Sequence, residues 1–106
     1  MVMEVKSKGK FHQILKEQGD KLVIVNFTAS WCMSCRMTAP YYQELSEKYK
    51  DILFLQVDVD DVHGLAESYR IQSLPTFMFF KEGKQVANVE GISTAQLKAK
   101  IEELKS

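Results

Sequence analysis

Only two cysteines occur in the chain, three positions apart, which is too few for a disulfide-stapled scaffold or a four-cysteine zinc site. Neither sign of charge is in excess. Lys and Arg number 14, Asp and Glu number 14, and the formal net charge is zero, which removes the electrostatic case for nucleic acid or an anionic membrane as partner. No apolar run approaches the length of a transmembrane helix. The opening Met1-Val2-Met3-Glu4-Val5-Lys6-Ser7-Lys8-Gly9-Lys10 has no apolar core of the kind a signal peptide needs. The expectation is therefore a reducing, cytoplasmic setting, with which a closely spaced cysteine pair is compatible. Repeats, linkers and low-complexity stretches are also missing. What remains is 106 residues, 45% of them hydrophobic, and the expectation is a single domain over residues 1–106 with one core that folds without staples.

The two cysteines lie in Trp31-Cys32-Met33-Ser34-Cys35, just after the apolar run Leu22-Val23-Ile24-Val25-Asn26-Phe27. A strand that runs into Cys-x-x-Cys and then turns helical is a redox pattern with a mechanism. In the first turn of a helix the two residues share a face, roughly 5–6 Å apart, within the separation a disulfide needs. The helix N-terminus adds unpaired N–H groups and a positive dipole end, both of which favour a thiolate. Cys32, nearer that end, is the candidate nucleophile. Zinc would have to recruit His12 and His63, neither of which has ligand spacing to the pair. A static disulfide closing so short a loop stabilises little. Redox chemistry is the reading that remains.

Taken in order, Val2 to Val5 reads as a short edge strand. Phe11, Ile14 and Leu15 mark a short amphipathic helix that Gly19-Asp20 ends, with His12 on its surface. Leu22 to Phe27 reads as a strand covered on both faces. From Cys32 a helix follows, with Met37, Tyr41, Leu45 and Tyr49 repeating along one face and Pro40 kinking it. Ile52 to Val59 is a second buried strand, and Asp58, Asp60 and Asp61 cluster at its end as a solvated terminus and helix cap. Leu65, Ala66 and Tyr69 give one short helix, and Phe77 to Phe80 another strand. Lys81-Glu82-Gly83-Lys84 is a hairpin turn leading to a return strand, Gln85 to Glu90. Ser93 or Thr94 caps a last helix bearing Leu97, Ile101 and Leu104. The order β-α-β-α-β-α-β-β-α implies an α/β fold with parallel pairs early and an antiparallel hairpin late.

This sequence resembles the thioredoxins, and those of the animal cytosolic type in particular. The resemblance runs over essentially the whole chain: Gly19-Asp20-Lys21-Leu22-Val23, Phe27 with Ala29, Trp31-Cys32, Pro40, Leu45-Ser46-Glu47-Lys48-Tyr49, Val57-Asp58-Val59-Asp60-Asp61, Pro75-Thr76-Phe77 and Phe79-Phe80. It implies the thioredoxin fold, a central mixed sheet of about five strands flanked by four helices. It also implies a protein-disulfide reductase in which Cys32 attacks a substrate disulfide and Cys35 resolves the mixed disulfide. Pro75 matches the family's cis-proline, and the backbone of Leu74 would pair with an extended substrate chain. Trp31, Met33, Leu74, Pro75, Gly91 and Ile92 would form the docking surface, and Asp60 would hold the indole N–H. No bound cofactor is implied. Electrons would come from NADPH through a separate flavin-dependent thioredoxin reductase, with the protein acting as a monomer in electron transport and redox homeostasis.

The departures from the family pattern have a direction. The usual Trp-Cys-Gly-Pro-Cys is here Trp-Cys-Met-Ser-Cys. Losing the proline frees a backbone N–H and loosens the turn, which implies a weaker reductant, and Ser34 is placed to donate to a thiolate. Met33 puts a soft apolar side chain where the family has bare backbone. Asn26 stands in place of a buried aspartate that takes the proton of the resolving cysteine through water, and an amide is no base near neutral pH. Ala39 and Gln56 replace charged residues of the same cluster, so the cluster is neutralised as a set, at little expected cost in stability. Resolution is then expected to be slower, or to use another acceptor. Val62, Tyr69 and Ser73 occupy positions where some animal members carry regulatory cysteines, so thiol regulation of that type is absent. Two other readings remain open: a redox-weak binding module using the same docking surface, and a dimer bridging an iron–sulfur cluster through Cys32 and Cys35 of both chains.

Overall fold

The computed structural model describes residues 1–105. Its elements are β1 (Val2–Glu4), α1 (Lys8–Glu17), β2 (Val23–Thr28), α2 (Met33–Lys48), β3 (Leu53–Asp58), α3 (Leu65–Ser68), β4 (Thr76–Lys81), β5 (Lys84–Glu90) and α4 (Thr94–Leu104). The strands form one sheet in the order β1-β3-β2-β4-β5. β1, β3 and β2 run parallel, while β4 is antiparallel to β2 and β5 to β4. The mixed five-stranded sheet with four helices is the architecture implied by the sequence.

The alternation of side chains along β2 separates two cores. Val23, Val25 and Phe27 face Phe11 and Leu15 of α1 and Leu65 of α3. Leu22 and Ile24 face Tyr42 and Leu45 of α2 and Leu97 and Ile101 of α4. Both faces of the central strands are covered, which explains why β2 and β4 read as near-continuous apolar runs. Ser7 and Ser93 cap α1 and α4 by accepting the N–H groups of Lys10 at 3.1 Å and Gln96 at 3.2 Å. Among the described residues no helix is long and apolar enough to cross a membrane.

One expectation needs correction. The buried stripe of α2 is Cys35, Thr38, Tyr42, Leu45 and Ser46, whereas Met37 is 64% exposed and Tyr41 and Tyr49 are half-buried. The step between buried positions alternates between three and four, as a 3.6-residue turn requires, and small polar side chains fill places where the helix lies close to the sheet. In the β4–β5 turn, Glu82 as well as Gly83 has positive φ, at 54° and 75°. A two-residue hairpin of this hand demands the left-handed region at both positions, and here a glutamate takes the first.

Candidate active site

The site is built where β2 hands over to α2. After Thr28 the chain turns, with the Cys32 N–H donating to the Ala29 carbonyl at 3.2 Å. Cys32 is the N-cap of α2, with extended backbone, and its Sγ accepts the Cys35 N–H at 3.2 Å. One of the otherwise unpaired donors of the helix end thus points at the sulfur of Cys32. The two cysteines are joined as a disulfide with a Cα–Cα distance of 5.3 Å. Cys32 is 7% exposed and Cys35 3%, so the first cysteine is the more accessible residue. The Arg36 guanidinium reaches back to the Ser30 carbonyl at 3.0 Å and ties the loop to the helix. Trp31 is 68% exposed, and its indole N–H donates to Asp60 Oδ2 at 2.8 Å. Asp58 Oδ1 in turn accepts the Asp60 N–H at 2.9 Å, which fixes the carboxylate that holds the indole.

Opposite the disulfide, the Leu74–Pro75 peptide is cis and leads into β4. The Ser34 hydroxyl donates to the Leu74 carbonyl at 3.2 Å while standing 3.4 Å from Cys32 Sγ. A shallow groove is lined by Trp31, Cys32, Met33, Ser34, Met37 and Leu74. Met37 is the member that sequence reasoning missed, since the periodicity groups it with Tyr41, Leu45 and Tyr49 on one face of α2. Its spacing of four from the exposed Met33 was the available signal. The remaining predicted docking residues lie elsewhere. Pro75 is buried, and its carbonyl accepts the Gly91 N–H at 3.0 Å, which sets Ile92, half exposed, beside the proline on the far side of β4. Leu74 in the groove is thus followed by Pro75, which the Gly91 N–H joins to the edge carrying Ile92.

Comparison with known proteins agrees with this geometry over the full length. The family model described as Thioredoxin matches residues 2–103. The chain belongs to the thioredoxin family. Human thioredoxin is 44% identical over 104 residues, covering 98% of this chain and 99% of its own. Reduced thioredoxin pre-protein from Schistosoma mansoni superposes with a TM-score of 0.93 at 40% identity, covering 97% of each chain. A chain from a complex of ferredoxin:thioredoxin reductase with thioredoxin f2 superposes with a TM-score of 0.93, also at 40% identity, covering 99% of this chain and 96% of that one. With its Cys-x-x-Cys pair at disulfide distance, this thioredoxin is a thiol–disulfide oxidoreductase. Nothing in the comparisons favours the binding-module or cluster-bridging reading. Among the described residues no group of three or more His, Cys, Asp or Glu gathers as a metal site.

Of the departures, Asn26 falls on the α2 side of the sheet. Asn26 shares the face of Ile24, one pleat nearer the cysteines, and lies directly beside Gln56 of β3 and Phe77 of β4. It is 1% exposed, and its Oδ1 has no hydrogen-bond partner among the described residues. Ala39 lies on an exposed part of α2. Thr38, buried under the same helix, donates its hydroxyl to the Ser34 and Cys35 carbonyls at 3.3 and 3.1 Å. The Tyr42 phenol donates to the Ile24 and Leu55 carbonyls at 3.1 and 2.8 Å. Burial pushes the phenol's pKa well up, against a smaller lowering from the Leu55 bond, so it stays neutral and serves as a fixed donor rather than a base.

Proposed function

We propose that this thioredoxin reduces protein disulfides with Cys32 as nucleophile and Cys35 as resolving thiol. The observation that carries the assignment is the Cys35 N–H aimed at Cys32 Sγ from the first turn of α2, because a donor there stabilises a thiolate on Cys32 and not on Cys35. The Cys32 thiolate attacks one sulfur of the substrate disulfide, forming a mixed disulfide and expelling the other sulfur as a thiolate. Cys35, as thiolate, then attacks Cys32 Sγ, closing the Cys32–Cys35 bond and releasing the second substrate sulfur. Two electrons pass from the pair to the substrate, and the protons of the two thiols end on the product dithiol. The substrate lies as an extended strand along Leu74, its flanks resting on Trp31 and Met33 on one side and on Pro75, Gly91 and Ile92 on the other.

The electrons are supplied by NADPH through a flavin-dependent thioredoxin reductase, in a reducing cytoplasmic compartment where the protein works as a monomer in redox homeostasis. The similar thioredoxin f2 chain found with a reductase supports a reductase as partner. Asn26 makes proton removal from Cys35 the slow step, since an amide is no base near neutral pH. NADPH consumption with insulin and a thioredoxin reductase tests the reading. Steady turnover is expected, with a faster Asn26→Asp variant. No turnover in either form would overturn it.

A further inference from the structure

Ser34 is the one side chain of the active-site turn that contacts both a reacting sulfur and the backbone on which substrate is read. Its Oγ is 3.4 Å from Cys32 Sγ and 3.2 Å from the Leu74 carbonyl oxygen. A serine hydroxyl has a single hydrogen to give. In the disulfide, Cys32 Sγ is a weak acceptor that already takes the Cys35 N–H, so the hydrogen goes to Leu74. In the reduced protein Cys32 carries negative charge, and a charge-assisted hydrogen bond is about twice as strong as a neutral one. The same hydrogen then turns to sulfur and leaves the Leu74 carbonyl open. Both acceptors are in reach of one oxygen, so only the hydrogen swings about the Cβ–Oγ bond.

We propose that Ser34 is a redox-driven release switch, whose hydroxyl competes with the substrate strand for the Leu74 carbonyl. The strand wins while Cys32 is a thiolate, and the hydroxyl contests the carbonyl again once Cys32 has given up its charge to a disulfide bond. The inference rests on the reading that the substrate chain pairs with Leu74. Cys32 loses its charge in the first exchange, when its thiolate attacks the substrate disulfide, one substrate sulfur departs as a thiolate and the mixed disulfide forms. Ser34 then loses its better acceptor, and its hydrogen turns back toward Leu74 while the covalent bond still holds the substrate. In the last exchange Cys35, as thiolate, attacks Cys32 Sγ, the Cys32–substrate bond breaks, and the second substrate sulfur leaves as a thiolate that takes a proton from water. The product dithiol is then held only by the strand contacts that the hydroxyl contests. Product ejection is thereby coupled to the electron transfer itself, through one side chain.

The test compares wild type, Ser34→Ala and Ser34→Thr. The probe is a peptide spanning an insulin disulfide site with its cysteines changed to serine, so that it binds without reacting. Oxidised Ser34→Ala is expected to bind this peptide about 2- to 10-fold more tightly than oxidised wild type, the value of one net hydrogen bond. The reduced forms are expected to bind alike, and Ser34→Thr, which keeps the hydroxyl, is expected to follow wild type. A second readout needs no substrate: the carbonyl 13C shift of Leu74 should move between the redox states in wild type and move less in Ser34→Ala. Equal peptide binding by the two oxidised proteins, or an equal redox movement of the Leu74 carbonyl in both, would overturn the switch. If insulin is still turned over in that case, the reductase reading stands without it. Loss of insulin turnover with a serine-dependent Leu74 shift would instead overturn the reductase reading and leave the hydroxyl movement in place.

Discussion

At the scale of single residues, Asn26 sets two opposed expectations. Its buried Oδ1 lacks a partner among the described residues, and an unsatisfied buried acceptor costs about 1–3 kcal/mol. Asn26→Leu, of similar volume, is therefore expected to stabilise the protein by about 1 kcal/mol and to raise Tm by about 4–8 °C, measurable by calorimetry. Asn26→Asp is expected to trade stability for rate. A carboxyl held in that apolar face has its pKa raised by desolvation. With the folded pKa above the unfolded value of about 3.9, the folded state holds the extra proton, so stability falls as pH rises through the window between the two. A denaturation series from pH 4 to pH 8 should show this slope in Asn26→Asp and not in wild type. Over the same range, single-turnover resolution of the mixed disulfide should accelerate toward the 10²-fold or so that a positioned base contributes. An Asn26→Asp protein with flat stability and unchanged resolution would show that this position no longer communicates with Cys35.

At the scale of elements, α2 carries the site at its first turn and the core along its length. Tyr42 pins it to the sheet by donating to two strand carbonyls. Tyr42→Phe keeps the ring and removes those bonds, and an expected loss of about 1 kcal/mol should lower Tm by several degrees with disulfide-exchange rates unchanged. At its other end α2 is tied to α4, where the Tyr49 phenol donates to the Glu102 carboxylate and Lys105 pairs with Glu102 at 3.0 Å. The hydrogen bond to Glu102 pushes the Tyr49 pKa up to about 12, and the Tyr49 bond, with that from Lys105, lowers that of Glu102. The stabilisation is thus present at neutral pH. It is lost as pH falls through the lowered Glu102 value, and again as pH rises from the unfolded tyrosine value of about 10 to about 12. Tyr49→Phe should lower Tm slightly at pH 7 and not at all in acid, since the groups are exposed and screened. The order of these elements was legible in the sequence because apolar runs, caps and turn residues agree with one another. The buried face of α2 was not, because Thr38 and Ser46 face the sheet while Met37 faces solvent, against their hydropathy. The Ser34–Leu74 contact was equally hidden, since it joins residues 40 positions apart that only the fold brings together.

For the molecule as a whole, the disulfide is an instrument and not a brace. It closes a loop of four residues, for which chain entropy gives only about 2 kcal/mol, while two apolar cores line both faces of the sheet. The reduced protein is expected to keep the same far-ultraviolet circular dichroism, with a loss of stability of about that size in urea. Unfolding on reduction would show that the cores are weaker than their burial suggests. The sequence conveyed this balance through its shortage of cysteine and its abundance of apolar residues. The contact between Pro75 and Gly91 lay beyond it, because strand pairing rather than spacing brings them together. The chain also has a single tryptophan, Trp31, adjacent in sequence to the reacting sulfur and anchored by its indole N–H to Asp60. Because a neighbouring disulfide quenches an excited indole and a dithiol does so less, all of the molecule's indole emission comes from one lamp beside the reaction. Every turnover is then readable as light, without a label.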